Sequence, residues 1–405
     1  MIDSYLSGTE LLARFQALDT FLVAHQYLWH PRPFTQLTLP WENRHPELAH
    51  WLRQRSLEEA EAAQQQPERL LAPAPFPTLA HASYELSHLG AFPASDLPAA
   101  KPRLNVDVPG RKWQQIEAFG RHLAFTHPVS HWLDWCAGKG HLGRRLLQPG
   151  QSLTCLEFDP ALVQAGHDLS THHQLPAEHL RQDVLSSPLP LATQHTPVAL
   201  HACGDLHVRL LQQASDLGCR QLAIAPCCYN RTQAHAPISD AARASSLRLD
   251  LDDLALPLAE TVTAGARIRR QRDTSMARRL GFDLWQRRLR GVDAYLPTPS
   301  LPVAWLDKSF AQYCQDLAAL KGITLTDEAA GTNWPALEAA AQARLAEVRN
   351  LERVRNLFRR PLELWLVLDR ALYLQERGYE VKLGTFCAPT LTPRNVLLVA
   401  EKVCT

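Results

Sequence analysis

No stretch of this 405-residue chain approaches the roughly 18 consecutive apolar residues needed to cross a bilayer. Met1 to Phe15 also lack the basic-then-apolar order of a secretory leader, so no membrane partner is expected and a cytoplasmic location is. Global charge is missing as well. The 42 Lys and Arg against 41 Asp and Glu leave +1, so no overall field announces a nucleic acid or a membrane surface, and nothing points to DNA. Cysteines in C-x-x-C pairs are absent. The nine (Cys136, Cys155, Cys203, Cys219, Cys227, Cys228, Cys314, Cys387, Cys404) are odd in number and show no C-x-x-C spacing. That speaks against a disulfide framework and against a structural zinc site, whose ligands usually arrive as closely spaced pairs. No metal is expected. His172-His173 beside His167 and His179 is the nearest thing to a ligand cluster, and a solvated helix face explains it as well.

What is present, 46% apolar and 20% charged residues, excludes disorder and collagen and suits one large domain with an appendage or two. Residues 1–105 read as a helical arm, with a helical stretch at Trp51 to Gln66 and proline-rich connections around Leu71 to Thr78 and Pro93 to Pro109; the boundary is expected near Pro102. From Lys112 short apolar strands alternate with helices: strands at Ser130–Trp135, Ser152–Glu157, up to Asp183, Pro197–His201 and Gln221–Ala225. Repeated βα units of this size predict a parallel, doubly wound α/β sheet that binds its ligand beyond the strands' carboxyl ends. A basic helical insertion is expected over about 230–330. Two β-like runs, Tyr379 to Phe386 and Asn395 to Val403, should close the sheet as an antiparallel hairpin.

The first constellation with chemistry is Asp134-Trp-Cys-Ala-Gly-Lys-Gly-His-Leu-Gly143, between a strand and a helix, with Glu157 ending the next strand. Gly138 and Gly140 allow a ligand close to the backbone, the helix N-terminus offers N–H groups, and Glu157 can accept from two ribose hydroxyls. The same glycines satisfy a dinucleotide fingerprint, so an NAD(P)-dependent oxidoreductase is the alternative from another class. Three features favour S-adenosylmethionine. Asp134 suits a cationic ligand and would repel a pyrophosphate, Asp183 is placed to accept from an adenine amino group, and the closing hairpin is foreign to dinucleotide folds.

With these residues in view, the chain resembles the class I S-adenosylmethionine-dependent methyltransferases, and within them a subgroup with further motifs. These are His201-Ala-Cys-Gly-Asp-Leu206, Pro226-Cys-Cys-Tyr229 and Thr392-Pro-Arg-Asn395, and the resemblance runs from about Arg111 to the C-terminus. Similar domains occur in uncharacterised methyltransferase-like proteins and in the eukaryotic tRNA 2′-O-methyltransferase of the acceptor stem. The resemblance implies a Rossmann-like sheet of seven strands from about residue 106 to 405, an enzyme, and a cofactor held by Asp134, Cys136, Gly138, Gly140, Glu157, Asp183 and His201. Cys136 stands where the family's first loop glycine usually is. The zinc-binding cysteines and histidines ahead of the tRNA enzyme's domain have no counterpart in residues 1–105.

On the acceptor side, Asp205 reads either as a polar group facing the methyl donor or as the N-cap of a helix from Leu206. His201 is either a general base or a satisfied strand-end histidine. Cys227 and Cys228 could supply a thiolate that attacks a pyrimidine C6, or line the pocket; Tyr229 could stack on a base or sit at the rim. Lys112 is either placed to close over substrate or cofactor or is a surface lysine.

From Arg267 to Arg290 nine arginines face two aspartates, an excess of seven positive charges that leaves the rest of the chain at −6. A helix over Ser275–Arg290 with Ala277, Leu280 and Leu284 inward would leave Arg278, Arg279, Arg287 and Arg288 largely off the buried stripe. They are the expected contacts to RNA, rRNA or tRNA, with a protein substrate as the other reading. A non-catalytic cofactor-binding module is the remaining alternative.

Overall fold

The computed structural model describes residues 5–62, 69–123, 125–233, 236–259, 265–324 and 331–403. Its sheet is built from β1 (Leu6–Ser7), β2 (His131–Trp135), β3 (Ser152–Glu157), β4 (Ala177–Arg181), β5 (His195–Cys203), β6 (Gln221–Cys227), β7 (Tyr379–Thr385) and β8 (Val396–Lys402). Their order is β1-β7-β8-β6-β5-β2-β3-β4. The five strands from β4 to β6 are parallel, β8 adds antiparallel to β6, and β7 pairs antiparallel with β8. Central strands read as continuous apolar runs because both faces are covered: every residue of β6 is buried. The chain leaves β2 outward to β3 and β4, then returns to lay β5 on the other side of β2. Loops after β2 and β5 therefore meet at the switch point.

The expected doubly wound sheet and its antiparallel closing hairpin are both present. The count of seven strands is corrected to eight, since the two residues of β1 pair antiparallel with β7, Leu6 opposite Leu383. So short a segment carries no period-two signal.

Helices α1 (Thr9–Ala24), α2 (Gly110–Arg121), α3 (His141–Leu146), α4 (Pro160–His172), α5 (Asp205–Leu217), α6 (Ala266–Arg290), α7 (Trp334–Asn356) and α8 (Arg359–Gln375) carry the rest of the argument. Local chemistry sets their ends. Asp159 caps α4 by accepting from Ala161 N–H with Pro160 in the first turn, and α5 stops at Gly218 in the left-handed conformation. The stretch expected as one helix from Trp51 to Gln66 is two, Pro46–Arg53 and Leu57–Ala62, because Ser56 and Glu59 form a reciprocal capping box; positions 63–66 lie outside the described residues. Helix α6 starts nine residues before the expected Ser275.

The chain divides into two compact units. The sheet unit comprises 1–23, 86–262 and 360–405, and the second comprises 24–85 and 263–359. Residues 1–105 thus contribute to both units. The reason lies in α7, whose buried Arg344 donates to the carbonyls of Pro33 and Gln36 and whose Arg355 donates to that of Trp29. Those bonds tie the early segment to the later helices. In the sheet unit, Ile116 and Phe119 of α2 and Leu142 and Leu146 of α3 pack with the strands in one core.

Candidate active site

The loop after β2 turns through three left-handed residues, Cys136 at φ 54°, Gly138 at φ 56° and Gly140 at φ 74°. Its glycines are required for different reasons. A Cβ on Gly140 would lie 2.7 Å from the His179 ring, which wedges between the loop and α4 and would equally meet a Cβ on Gly166, at 2.5 Å. His179 is thus bound up in packing, with Nε2 2.8 Å from Ser170 Oγ. A Cβ on Gly138 would meet nothing within 4 Å, so the backbone there is bare toward open space, a cradle that a bound ligand can fill.

Two carboxylates hold this loop. Glu157 accepts from Gly138 N–H at 2.8 Å and from Asp159 N–H at 2.9 Å, which fixes the strand-ending acid beside the cradle while leaving lone pairs for hydroxyls. Asp134 accepts from Gly143 N–H at 2.9 Å. Burial pushes its pKa up to about 6 against the opposing Gly143 bond and the charges of Lys112 and Arg144. A cation seated beside it would lower that value.

The sign of this shift makes a prediction. An aspartate whose folded pKa lies above its ordinary 3.8 stabilises the fold only while protonated, and that contribution disappears as pH rises through about 6. Asp134→Asn, which keeps the acceptor for Gly143, should therefore be more stable than wild type by up to about 3 kcal/mol at pH 8, with no advantage near pH 4. Urea titrations of both proteins across that range check this.

Around the same strand ends the fold gathers Lys112, His201, Cys203, Cys227 and Cys228. Burial lowers the Lys112 pKa, opposed by the charges of Asp134 and Cys227. His201 sits at φ 69° within a break in the β5–β6 register between Leu200 and Cys203. Its Nε2 lies 2.8 Å from Gln115 Oε1, and the Gln115 amide nitrogen donates to Leu391 O at 3.4 Å, so the histidine is the donor to Gln115. Burial, then Lys112 and Arg394, brings its pKa down to about 4, a weak base.

Cys228, at φ 51°, redirects the chain after β6. Its thiol is pulled down by hydrogen bonds to Cys203 and Cys227 and by Arg394 and Arg231, whereas Cys227 is pushed up by its bonds to Cys203 and Cys228 and by burial. Cys136 is driven up to about 12 by burial and Glu157, so it is a thiol.

Three expectations change here. Tyr229 is not at a rim: it is 2% exposed, packed edge-on to His207 with Arg370 over its ring, because the turn at Cys228 sends it into the core. Asp205 is not an N-cap. Gly204 is, and the Asp205 carboxylate accepts from Gln233 N–H at 3.2 Å. Among the arginines, Arg287 is buried between Asp283 and Asp293 and donates to Thr35 O, while Arg278 and Arg279 donate to the carbonyls of Trp305, Lys308 and Pro299. Arg288 is exposed, as are Arg267, Arg270 and Arg272 in the added first turns of α6.

Asp183 is exposed, its oxygens accepting from Leu185 N–H and Ser186 Oγ. Sequence reasoning missed Gln115 and Arg231, and gave Arg394 only as part of the Thr392–Asn395 motif; long-range folding brings all three to the strand ends. It also missed Phe158, 63% exposed directly after Glu157, for which an aromatic following a strand-ending acid was an available signal.

Residues 111–235 match the family model described as a methyltransferase domain. Among solved structures, the chain is similar to a 23S rRNA methyltransferase (19% identity, 29% of this chain and 46% of that one, TM-score 0.23). It is also similar to a putative sarcosine dimethylglycine methyltransferase from Galdieria sulphuraria (14%, 76% and 92%, TM-score 0.27) and to coclaurine N-methyltransferase (11%, 96% and 94%, TM-score 0.29). The chain spans about half the length of the first of these. The glycine cradle, its two carboxylates and the strand ends that carry Cys203, Cys227 and Cys228 all lie within the segment that matches this methyltransferase-domain model.

Proposed function

We propose that this protein transfers a methyl group from S-adenosylmethionine to structured RNA. Bound at the cradle, the cofactor supplies an electrophilic methyl group. In this reading the Gly138 backbone admits it closely, Glu157 accepts from its ribose hydroxyls, the Phe158 ring offers a face to its adenine and Asp183 an acceptor to the adenine amino group. Asp134 braces the loop and answers its positive charge. Lys112 and Asp205 flank the acceptor side, where alignment and exclusion of water suffice for an acceptor that is already nucleophilic.

The observation that supports RNA is the run Arg267, Arg270 and Arg272, exposed on the first turns of α6, in a chain otherwise net negative. Clustered arginines suit phosphates, whose neutralisation dominates nucleic-acid affinity. RNA affinity should then fall steeply with salt, and replacing these three arginines should flatten the log–log slope by roughly one unit for each phosphate left without its arginine. Arg278→Ala and Arg279→Ala should instead cost stability, since their bonds are internal. The substrate class is read by adding radiolabelled methyl donor and the protein to a lysate of cells lacking it. Label in RNA supports the proposal, and label confined to protein replaces it with a protein methyltransferase.

A further inference from the structure

Cys203 and Cys227 are register partners at the ends of β5 and β6, and their sulfurs are 3.8 Å apart. The sulfur of Cys228 completes a triangle in which all three lie within 4.8 Å of one another. Two features of the backbone make this arrangement. The break in register at Leu200–Cys203, with His201 at φ 69°, brings Cys203 level with Cys227, and the left-handed turn at Cys228 carries its side chain back to the same place. Non-glycine residues rarely hold such conformations, and they cluster where the fold serves a site.

The spacing has a chemical meaning. With Zn–S bonds of about 2.3 Å and tetrahedral angles, two thiolates on one zinc ion stand about 3.8 Å apart. Three thiolates around a divalent ion leave one negative charge, and Arg231 and Arg394 are close enough for their charges to act on Cys228. Cys227 is buried whereas Cys203 and Cys228 are partly exposed, so the open side of the triangle is the side of those two. Zinc sites with three protein ligands keep an exchangeable fourth position, unlike closed four-ligand structural sites.

We infer that Cys203, Cys227 and Cys228 form a tricysteine zinc site with an exchangeable fourth ligand, beside the cofactor loop. It borders that loop because β5, which ends in Cys203, is the parallel neighbour of β2, from whose end the loop runs. A consequence follows for the cysteines. Thiolates shared with a metal are not free to attack a pyrimidine, so the site excludes the covalent-nucleophile role for Cys227 and Cys228.

The test is metal content of the full chain purified without chelator, then dialysed. About one zinc per chain should remain, and cobalt substitution should give the near-ultraviolet thiolate-to-metal charge-transfer band of a tetrahedral site. Cys203→Ala, Cys227→Ala and Cys228→Ala should each bring zinc below about a tenth per chain, while Cys387→Ala keeps it. Cys228→His, which supplies another zinc ligand, should retain metal where Cys228→Ala does not. S-adenosylmethionine binding by each variant reports separately on folding and on the cofactor site. A wild-type protein that neither carries zinc nor takes it up, a set of cysteine variants that all keep it, or a Cys203–Cys227 disulfide in the protein as purified would overturn the assignment.

Discussion

Replacing Glu157 with alanine should weaken S-adenosylmethionine binding by roughly 2 to 3 kcal/mol, a loss of about 30- to 150-fold in affinity. Two effects add. The first is the loss of a charged acceptor for two ribose hydroxyls, each such bond being stronger than a neutral one. The second is indirect: the same carboxylate fixes the N–H groups of Gly138 and Asp159, so its removal frees the bare stretch of backbone against which the ligand lies. Glu157→Gln retains an acceptor without the charge and should fall between alanine and wild type. Calorimetry on the three proteins measures this, and equal affinities would remove Glu157 from the site.

The largest effect on stability is expected at Gly204. A Cβ there would lie 1.8 Å from the carbonyl oxygen of Arg231, a backbone atom that cannot swing aside. The residue also holds φ 52° and ψ −123°, which side-chain-bearing residues avoid. Around it the two loops interlock, Gly204 N–H donating to Cys227 O at 3.2 Å and Asp205 N–H to Arg231 O at 3.1 Å. Gly204→Ala must part these loops and should cost about 3 to 5 kcal/mol, enough to unfold much of a marginal protein. Gly110→Ala is the contrast. Nothing lies within 4 Å of its added Cβ and the position opens a helix, so the change should be neutral or slightly stabilising. Chemical denaturation of both variants checks the pair, and a Gly204→Ala protein within about 1 kcal/mol of wild type would mean the interlock is absent.

Gly204 also shows why some motifs were legible and their purposes were not. The His201-Ala-Cys-Gly-Asp-Leu206 run could be read as a recurring pattern beside a strand, yet its glycine answers to the carbonyl of Arg231, far along the chain, which no local spacing reveals. Elements with strong periodicity were readable: the parallel strands, the closing hairpin and the glycine loop stand within a few residues of expectation. Local spacing misled where the fold joins distant segments. Absence of C-x-x-C speaks only of cysteines close in sequence, whereas parallel pairing sets Cys203 beside Cys227 without any need for sequence proximity. Hydrophobic stripe analysis set Arg287 off the buried face of α6, whereas Asp283 one turn earlier and Asp293 beyond the helix draw it inside. Tyr229 looked like a rim residue until the left-handed turn at Cys228 reversed its direction.

The central claim, a methyl-donor site at the cradle over Gly138, is tested most directly by titrating the purified full chain with S-adenosylmethionine and, separately, with NADH. One S-adenosylmethionine per chain should bind, NADH should not, and Gly138→Val should abolish binding, because its side chain would occupy the open space against which no protein atom packs. Tight NADH binding without S-adenosylmethionine binding, or unchanged binding in Gly138→Val, would contradict it.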